Sequence, residues 1–405
     1  MHAKQLHFQH TTPNFIIQLP ASKSISNRAL ILSALAYSPY EINNISDCDD
    51  TQVTLKALNS NDTHFDIGAA GTAMRFLTAF LSKTVGEWVI TGSERMKQRP
   101  IKLLVDALNS LGARIEYLEK EGFPPLRIFG SALNGGDIQL NGSVSSQYIS
   151  ALMMVAPYML KGLKIKLEGH VISVPYILMT KAMMAEFGVH VSFENNIISI
   201  EPQSYRPIPY QVESDWSAAS YWYEIVALAG SGKVSLKGLH AISFQGDSKV
   251  AVLFERLGVH TEFQEDGVII TPHRKLATHF EHDFVNEPDL AQTFAVSCCL
   301  KNITFHFKGL QSLKIKETNR ILALTNELAK LGFQLAEPAE GELAWDGTKT
   351  SVNVNRIPTI ETYDDHRMAM AFAPVALLQP IIIQHPEVVS KSYPNFWNDL
   401  ELLNQ

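Results

Sequence analysis

The sequence predicts an α+β protein built from one helix-and-strand module used six times. Three observations carry this. Four helical patterns end in an apolar residue followed by glycine and then a strand-like run. Their glycines, Gly112, Gly188, Gly258 and Gly332, fall 76, 70 and 74 residues apart. A second series of helices, apolar almost all round, interleaves with the first, and short β-branched runs lie between the two. A near-constant period of this kind marks one supersecondary unit packed against its own copies.

The first series reads LLVDALNSLGARIEYL, MTKAMMAEFGVHVSF, VAVLFERLGVHTEF and ILALTNELAKLGFQL. Glycine after the last apolar position is the usual helix stop. DCDDTQVTLKALNSN near the start and YPNFWNDLELL at the end are terminal relatives, which makes six units. The second series reads SKSISNRALILSALA, GTAMRFLTAFLS, SSQYISALMMVAPY, SDWSAASYWYEIVAL, PDLAQTFAVSCCL and DDHRMAMAFAPVAL. Helices without a polar face are expected to be buried. The runs LKIKLEGH, NIISIEP, GVIITP and SVNVN are the strand candidates.

Bulk composition bounds the function. A chain of 405 residues suggests two or three domains with ample core. Its net charge of −7 argues against non-specific binding to nucleic acid or to an anionic membrane, which needs a basic surface. Any anion the protein handles must therefore be met by local cations. Cys48, Cys298 and Cys299 contain no CxxC pair, as expected of reduced thiols in a cytosol. The opening MHAKQLHFQHTTPNF has no apolar core, so no signal peptide is expected. The apolar run from Met368 to Ile383 is interrupted by Pro374 and Pro380 and is too short and broken to span a membrane.

The polar starts of the second helix series are the informative feature. Capping explains any one of them, because Ser, Thr, Asp and Asn satisfy free helical N–H groups. Six in register, several with Arg or Lys, suggest more, since a helix N-terminus also attracts anions. LPASKSISNRAL places Lys23, Ser24 and Arg28 around one start, and AAGTAMR places Gly71 at the next. MKQRP puts Arg99 before Pro100, read as the first residue of a helix. SVSSQ supplies Ser145, Ser146 and Gln147, with a cap as the simplest role for each serine. EPDLAQT supplies Asp289, an N-cap candidate, and DDHRMAM supplies Asp365, His366 and Arg367. SKSYPNF supplies Lys391. In LKIKETNR, read as a helix start, Glu317 and Arg320 are i,i+3 neighbours and Lys316 and Arg320 are i,i+4 neighbours. Two stacked cations repel unless something anionic lies between them. The cations with Asp289 and Glu317 suit a substrate carrying several phosphate or carboxylate groups, together with acid–base chemistry.

These motifs resemble those of the 5-enolpyruvylshikimate-3-phosphate synthase family. The resemblance runs nearly end to end through SKSISNRALIL, AGTAMRFL, RMKQRPI, GSVSSQ, SVPYILMT, ESDWSAASY, QGD, PDLAQT, IKETNR, DDHRMAM and KSYPNF, in order. It implies an enolpyruvyl transferase fold, an inside-out α/β barrel of two lobes, each of three βαβαββ-like units. One lobe would hold residues 1–20 plus 215–405 and the other 21–214, with the active site in the cleft between them and completed by closure. The implied reaction moves the enolpyruvyl group of phosphoenolpyruvate to the 5-hydroxyl of shikimate 3-phosphate, on the route to chorismate and the aromatic amino acids. No metal or cofactor is implied, and the protein would be a cytoplasmic monomer and a glyphosate target.

By the same resemblance, Lys23, Ser24, Arg28, Ser145, Ser146, Gln147, Ser173, Asp289, Ser312 and Lys316 would hold shikimate 3-phosphate. Lys23, Gly71, Arg99, Gln147, Arg320, Arg367 and Lys391 would hold phosphoenolpyruvate. Asp289 would be the base, Glu317 the acid, and Lys23 would stabilise the tetrahedral intermediate. The chain departs from the family pattern at Ala21, Ala69, Phe76, Val174 and Ser312, positions that bear on the shape of the phosphoenolpyruvate pocket. Two rivals share the fold. A transferase acting on UDP-N-acetylglucosamine typically uses a loop Cys or Asp as acid and lacks the TAMR and KETNR pattern. A non-catalytic phospho-metabolite binding protein would be expected to lose Asp289, Glu317 or the arginines. An RNA 3′-phosphate cyclase, with related modules, fits neither the acidic balance nor the absence of a nucleotide motif.

Overall fold

The computed structural model describes residues 3–8, 12–352 and 356–404. The chain forms two compact units, one of residues 1–20 and 213–405, the other of residues 21–212 inserted into it. Each has its own apolar core. Among the described residues the strands form six sheets, three in each unit.

Every sheet contains one parallel strand pair, and a helix of the apolar series leads into one strand of each pair. In the inserted unit, His64–Asp66 and Gly86–Thr91 pair in parallel across the helix Gly71–Lys83. Gly136–Asn141 and Leu163–Glu168 do so across Ser146–Val155. Ile42–Asn43 follows the helix Lys23–Leu35 and pairs with Tyr210–Gln211. In the other unit the helices are Trp216–Ala229, Ala291–Leu300 and His366–Phe372. They serve the pairs Asn14–Gln18 with Lys233–Lys237, His279–Asp283 with Thr304–Lys308, and Thr359–Ile360 with Ile381–Gln384. A parallel pair needs a crossover, and the apolar helix lies within it in every pair except Ile42–Asn43 with Tyr210–Gln211, where the helix precedes the first strand.

Local sequence explains these elements. In Leu163–Glu168 burial alternates strictly, with Leu163, Ile165 and Leu167 inward and Lys164, Lys166 and Glu168 outward, the period of a strand with one wet face. LKIKLEGH, NIISIEP and GVIITP all contain strands. In SVNVN, Ser351 and Val352 lie outside any strand, and residues 353–355 lie outside the described residues. The helices Lys102–Ser110, Val174–Glu186 and Arg320–Lys330 end one residue before their cap, and Gly112, Gly188 and Gly332 follow with φ of 101°, 83° and 91°. Only glycine reaches such angles without strain. Gly258 lies two residues beyond its cap residue, Arg256. No helix among the described residues is long and apolar enough to cross a membrane.

Candidate active site

The larger unit gathers six of the expected residues into one cluster. LKIKETNR is not one continuous helix: the Asn319 side chain accepts from the Leu322 N–H at 3.2 Å and starts the helix at Arg320. Lys316 and Glu317 therefore stand in the preceding turn. Arg320 is buried. Its Nε and NH2 donate to Asp365 at 2.7 and 3.2 Å, its NH1 to Asp289 at 3.0 Å, and its NH2 also to Glu317 at 3.1 Å. Burial alone would lower its pKa. Asp365, Glu317 and Asp289 together outweigh that and raise it. Arg367 NH2 donates to Asp289 at 2.8 Å, and its NH1 lies 3.4 Å from the Tyr221 hydroxyl. Burial, opposed by Arg367, pushes Tyr221 up to about 12. Lys391 lies 3.0 Å from Glu317, and Lys316 lies 3.8 Å from Asp289. The Lys316 side chain keeps 29% of its surface exposed, yet desolvation lowers its pKa. The anionic groups between Lys316 and Arg320 are thus the protein's own carboxylates.

Asp289 is not an N-cap. It sits in the single helical turn Pro288–Leu290, and the following helix begins after Leu290 without a side-chain cap. The Asp289 carboxylate meets Arg320 and Arg367 instead of helical N–H groups. Asp365 does cap, accepting from the Arg367 N–H at 2.9 Å, and so holds both arginines at once. Ser312 lies half-buried in the single-turn helix Gln311–Ile315, with no hydrogen bond to this cluster among the described residues.

The inserted unit holds a second set. Lys23 pairs with Asp50 at 3.3 Å. Arg28 is 2% exposed, at the meeting of four helices. Its Nε donates to the Thr180 hydroxyl at 2.8 Å, NH2 to Ser150 at 3.1 Å, and NH1 to the Ser24 carbonyl at 3.0 Å. Its guanidinium lies over the rings of Phe76 and Tyr176 at 5.2 and 5.8 Å. No carboxylate pairs with it among the described residues, and burial lowers its pKa to about 10. Phe76 is therefore part of the Arg28 seat.

Gly71 opens its helix beneath two arginines. A Cβ there would fall 2.6 Å from Arg99 NH1 and 2.8 Å from Arg75 NH1. Pro100 is not the first helical residue, because the helix starts at Lys102 after Ile101. Ile101 is the N-cap, with non-helical φ of −135°, and its N–H donates to the Gly122 carbonyl at 2.9 Å. Ser145 caps its helix through the Gln147 N–H at 3.4 Å, Ser146 is buried, and Gln147 donates to Thr72 at 3.0 Å. Ser173 has left-handed backbone, with φ of 53°, and does not cap the helix it precedes. A serine held there is strained, as residues at binding sites often are.

Sequence reasoning did not assign Asp365, Asp50, Asp247, Arg75, Tyr221 or Thr180 to the site. DDHRMAM and QGD were visible as motifs, but nothing in them shows which cation each carboxylate meets.

Comparison with known proteins shows the family of the chain. The model of the EPSP synthase (3-phosphoshikimate 1-carboxyvinyltransferase) family matches residues 14–61 and 58–400. The 3-phosphoshikimate 1-carboxyvinyltransferase of Bacteroides fragilis (strain YCH46) is 55% identical over 386 residues, covering 95% of this chain and 94% of its own. That of Photobacterium damsela subsp. piscicida is 39% identical over 419 residues, covering 96% of each chain. An EPSP synthase structure from Acinetobacter baumannii shares the fold, with a TM-score of 0.79 at 20% identity over 99% of this chain and 98% of that one. The chain belongs to the EPSP synthase family.

Proposed function

We propose that the chain transfers the enolpyruvyl group of phosphoenolpyruvate to the 5-hydroxyl of shikimate 3-phosphate and releases phosphate. The observation that carries this is the cluster in which Asp289 and Glu317 are held by Arg320, Arg367, Lys316 and Lys391. It joins anion recognition to two carboxylates able to move protons. Arg28 supports the reading from the inserted unit, because a buried cation without a carboxylate partner is costly unless it meets an anion.

In this reading Lys23, Ser24, Arg28, Ser145, Ser146, Gln147, Ser173, Asp289, Ser312 and Lys316 bind shikimate 3-phosphate. Lys23, Gly71, Arg99, Gln147, Arg320, Arg367 and Lys391 bind phosphoenolpyruvate. Arg forks suit its carboxylate and phosphate. Asp289 takes the proton of the 5-hydroxyl as its oxygen attacks C2, and Glu317 protonates C3. Lys23 stabilises the tetrahedral intermediate. Glu317 then recovers the C3 proton, the bond from C2 to the phosphate oxygen breaks, and the Asp289 proton leaves with phosphate. When phosphoenolpyruvate draws Arg320 and Lys391 to its own anionic groups, Glu317 loses the charges that favour its ionised form, so it can carry the proton. A cytoplasmic, monomeric enzyme working without metal or cofactor completes the reading.

The test is phosphate release by the purified protein given both substrates, with each alone as control. Release only with both supports the reading. Silence with both, while either one protects against heat, overturns catalysis and leaves a binding protein.

A further inference from the structure

Glu287 is completely buried and lies two residues before Asp289, yet it touches none of the site cations named above. Its Oε1 is 2.5 Å from His282 Nε2, and its Oε2 is 3.1 Å from Lys249 Nζ. These partners come from separate segments. His282 stands on the strand His279–Asp283, its ring edge-on to Phe284 at 4.6 Å. Phe284 in turn packs on Phe294 of the helix that follows Asp289, at 5.5 Å. Lys249 closes the single turn Gly246–Lys249, which also carries the buried Asp247. The Glu287 carbonyl accepts from the Leu290 N–H at 3.1 Å and so closes the turn holding Asp289.

A buried carboxylate is weak evidence for stability, because desolvation offsets what its partners contribute. Its position suggests a different role. We propose that Glu287 is a positioning residue for Asp289. By gripping His282 and Lys249 together, it fixes the turn from which the Asp289 carboxylate reaches Arg320 and Arg367. Catalytic geometry needs such support, since a displacement of about 1 Å costs about a hundredfold in rate. Asp289 itself faces Arg320 and Lys316, Arg367, and Asp247 from their separate segments.

The inference rests on the assignment of Asp289 as base, so Asp289→Asn is measured alongside Glu287→Ala, Glu287→Gln and Lys249→Ala. For each, kcat, both KM values, the pH profile of kcat and the folded fraction are recorded. Glu287→Ala is expected to lower kcat about tenfold to a hundredfold, with both KM values within about threefold. Glu287→Gln keeps the length and one hydrogen bond to His282, and restores most of the loss. Lys249 is 51% exposed, so Lys249→Ala leaves the fold intact, lowers kcat about threefold and moves the acid limb of the profile to higher pH. Parental kcat per folded molecule in Glu287→Ala overturns the inference. So does a parental kcat and profile in Lys249→Ala if Glu287→Ala does not fold. An inactive Asp289→Asn beside unaffected Glu287 variants removes the inference and leaves the base assignment. A near-parental Asp289→Asn removes both.

Discussion

The Arg320 guanidinium meets the Asp365 carboxylate side-on, Nε to Oδ2 at 2.7 Å and NH2 to Oδ1 at 3.2 Å. Both groups are buried, and Asp365 also caps the helix that carries Arg367. Asp365→Ala removes the fork and the cap together. Removing one partner of a buried pair is expected to cost about 3 kcal/mol, the lower end of the usual range because Asp289 and Glu317 still hold Arg320. Asp365→Asn keeps a capping oxygen and should lose less. Both variants should raise KM for phosphoenolpyruvate. Urea unfolding and steady-state kinetics check the order; an Asn variant less stable than Ala would contradict it.

Glu317→Gln tests the acid. It keeps the shape beside Arg320 and Lys391 while removing a transferable proton. The expected loss in kcat is about a hundredfold to ten-thousandfold, with much smaller changes in either KM. Turnover near the parental rate would exclude Glu317 as the proton donor to C3.

Arg28 offers the reverse combination. Thr180 and Ser150 already lie 2.8 Å apart, and Thr180 reaches the Tyr176 carbonyl at 2.8 Å. Arg28→Met therefore leaves these hydroxyls partnered while removing a desolvated charge, and should unfold at the parental temperature or above. KM for shikimate 3-phosphate should rise about a hundredfold, the equivalent of about 2.7 kcal/mol of lost binding. A large fall in melting temperature with unchanged KM would make Arg28 a structural residue.

The repeat was legible because its signals are local: a glycine stop, an apolar helix and alternating strand burial each fit within a few residues. The cationic half of the site was legible for the same reason, as Lys, Arg and Gly recur at helix starts. Its counter-charges were not. Asp365 lies 45 residues from Arg320, and Thr180 lies 152 residues from Arg28. Only the packing of helices decides such meetings. Local rules also erred where tertiary contacts won. Asp289 looked like a cap and is an arginine partner, and Lys316 and Glu317 looked helical but stand before the Asn319 cap.

Gly71→Ala should act through Arg99. The added methyl would fall 2.6 Å from Arg99 NH1 and 2.8 Å from Arg75 NH1. Both arginines are buried, so their forks have little room to withdraw. KM for phosphoenolpyruvate is expected to rise about tenfold, matching about 1.4 kcal/mol of displaced contact. KM for shikimate 3-phosphate should change less. Equal changes in both would place the effect on the helix as a whole.

Asp247 makes stability depend on pH. It is buried, Ser217 donates to its Oδ2, and its Oδ1 has no hydrogen-bond partner among the described residues. Burial first, and then the Asp289 charge, push its pKa from 3.8 up to about 7. The folded state thus binds this proton more tightly than the unfolded chain does. Its contribution is fully present below pH 3.8 and is lost as pH rises through about 7, because the unfolded chain ionises first. Asp247→Asn cannot ionise and escapes that loss. Its melting temperature should exceed the parent's at about pH 8, with the gap narrowing towards pH 5; each 1 kcal/mol corresponds to about 2–4 °C for a unit of this size. Glu224, buried in the helix Trp216–Ala229, is raised well above 4.5 by burial and ionises in parent and variant alike, so the difference between the two isolates Asp247. A gap that widens on acidification would reverse the sign and show that Asp247 is ionised in the folded protein.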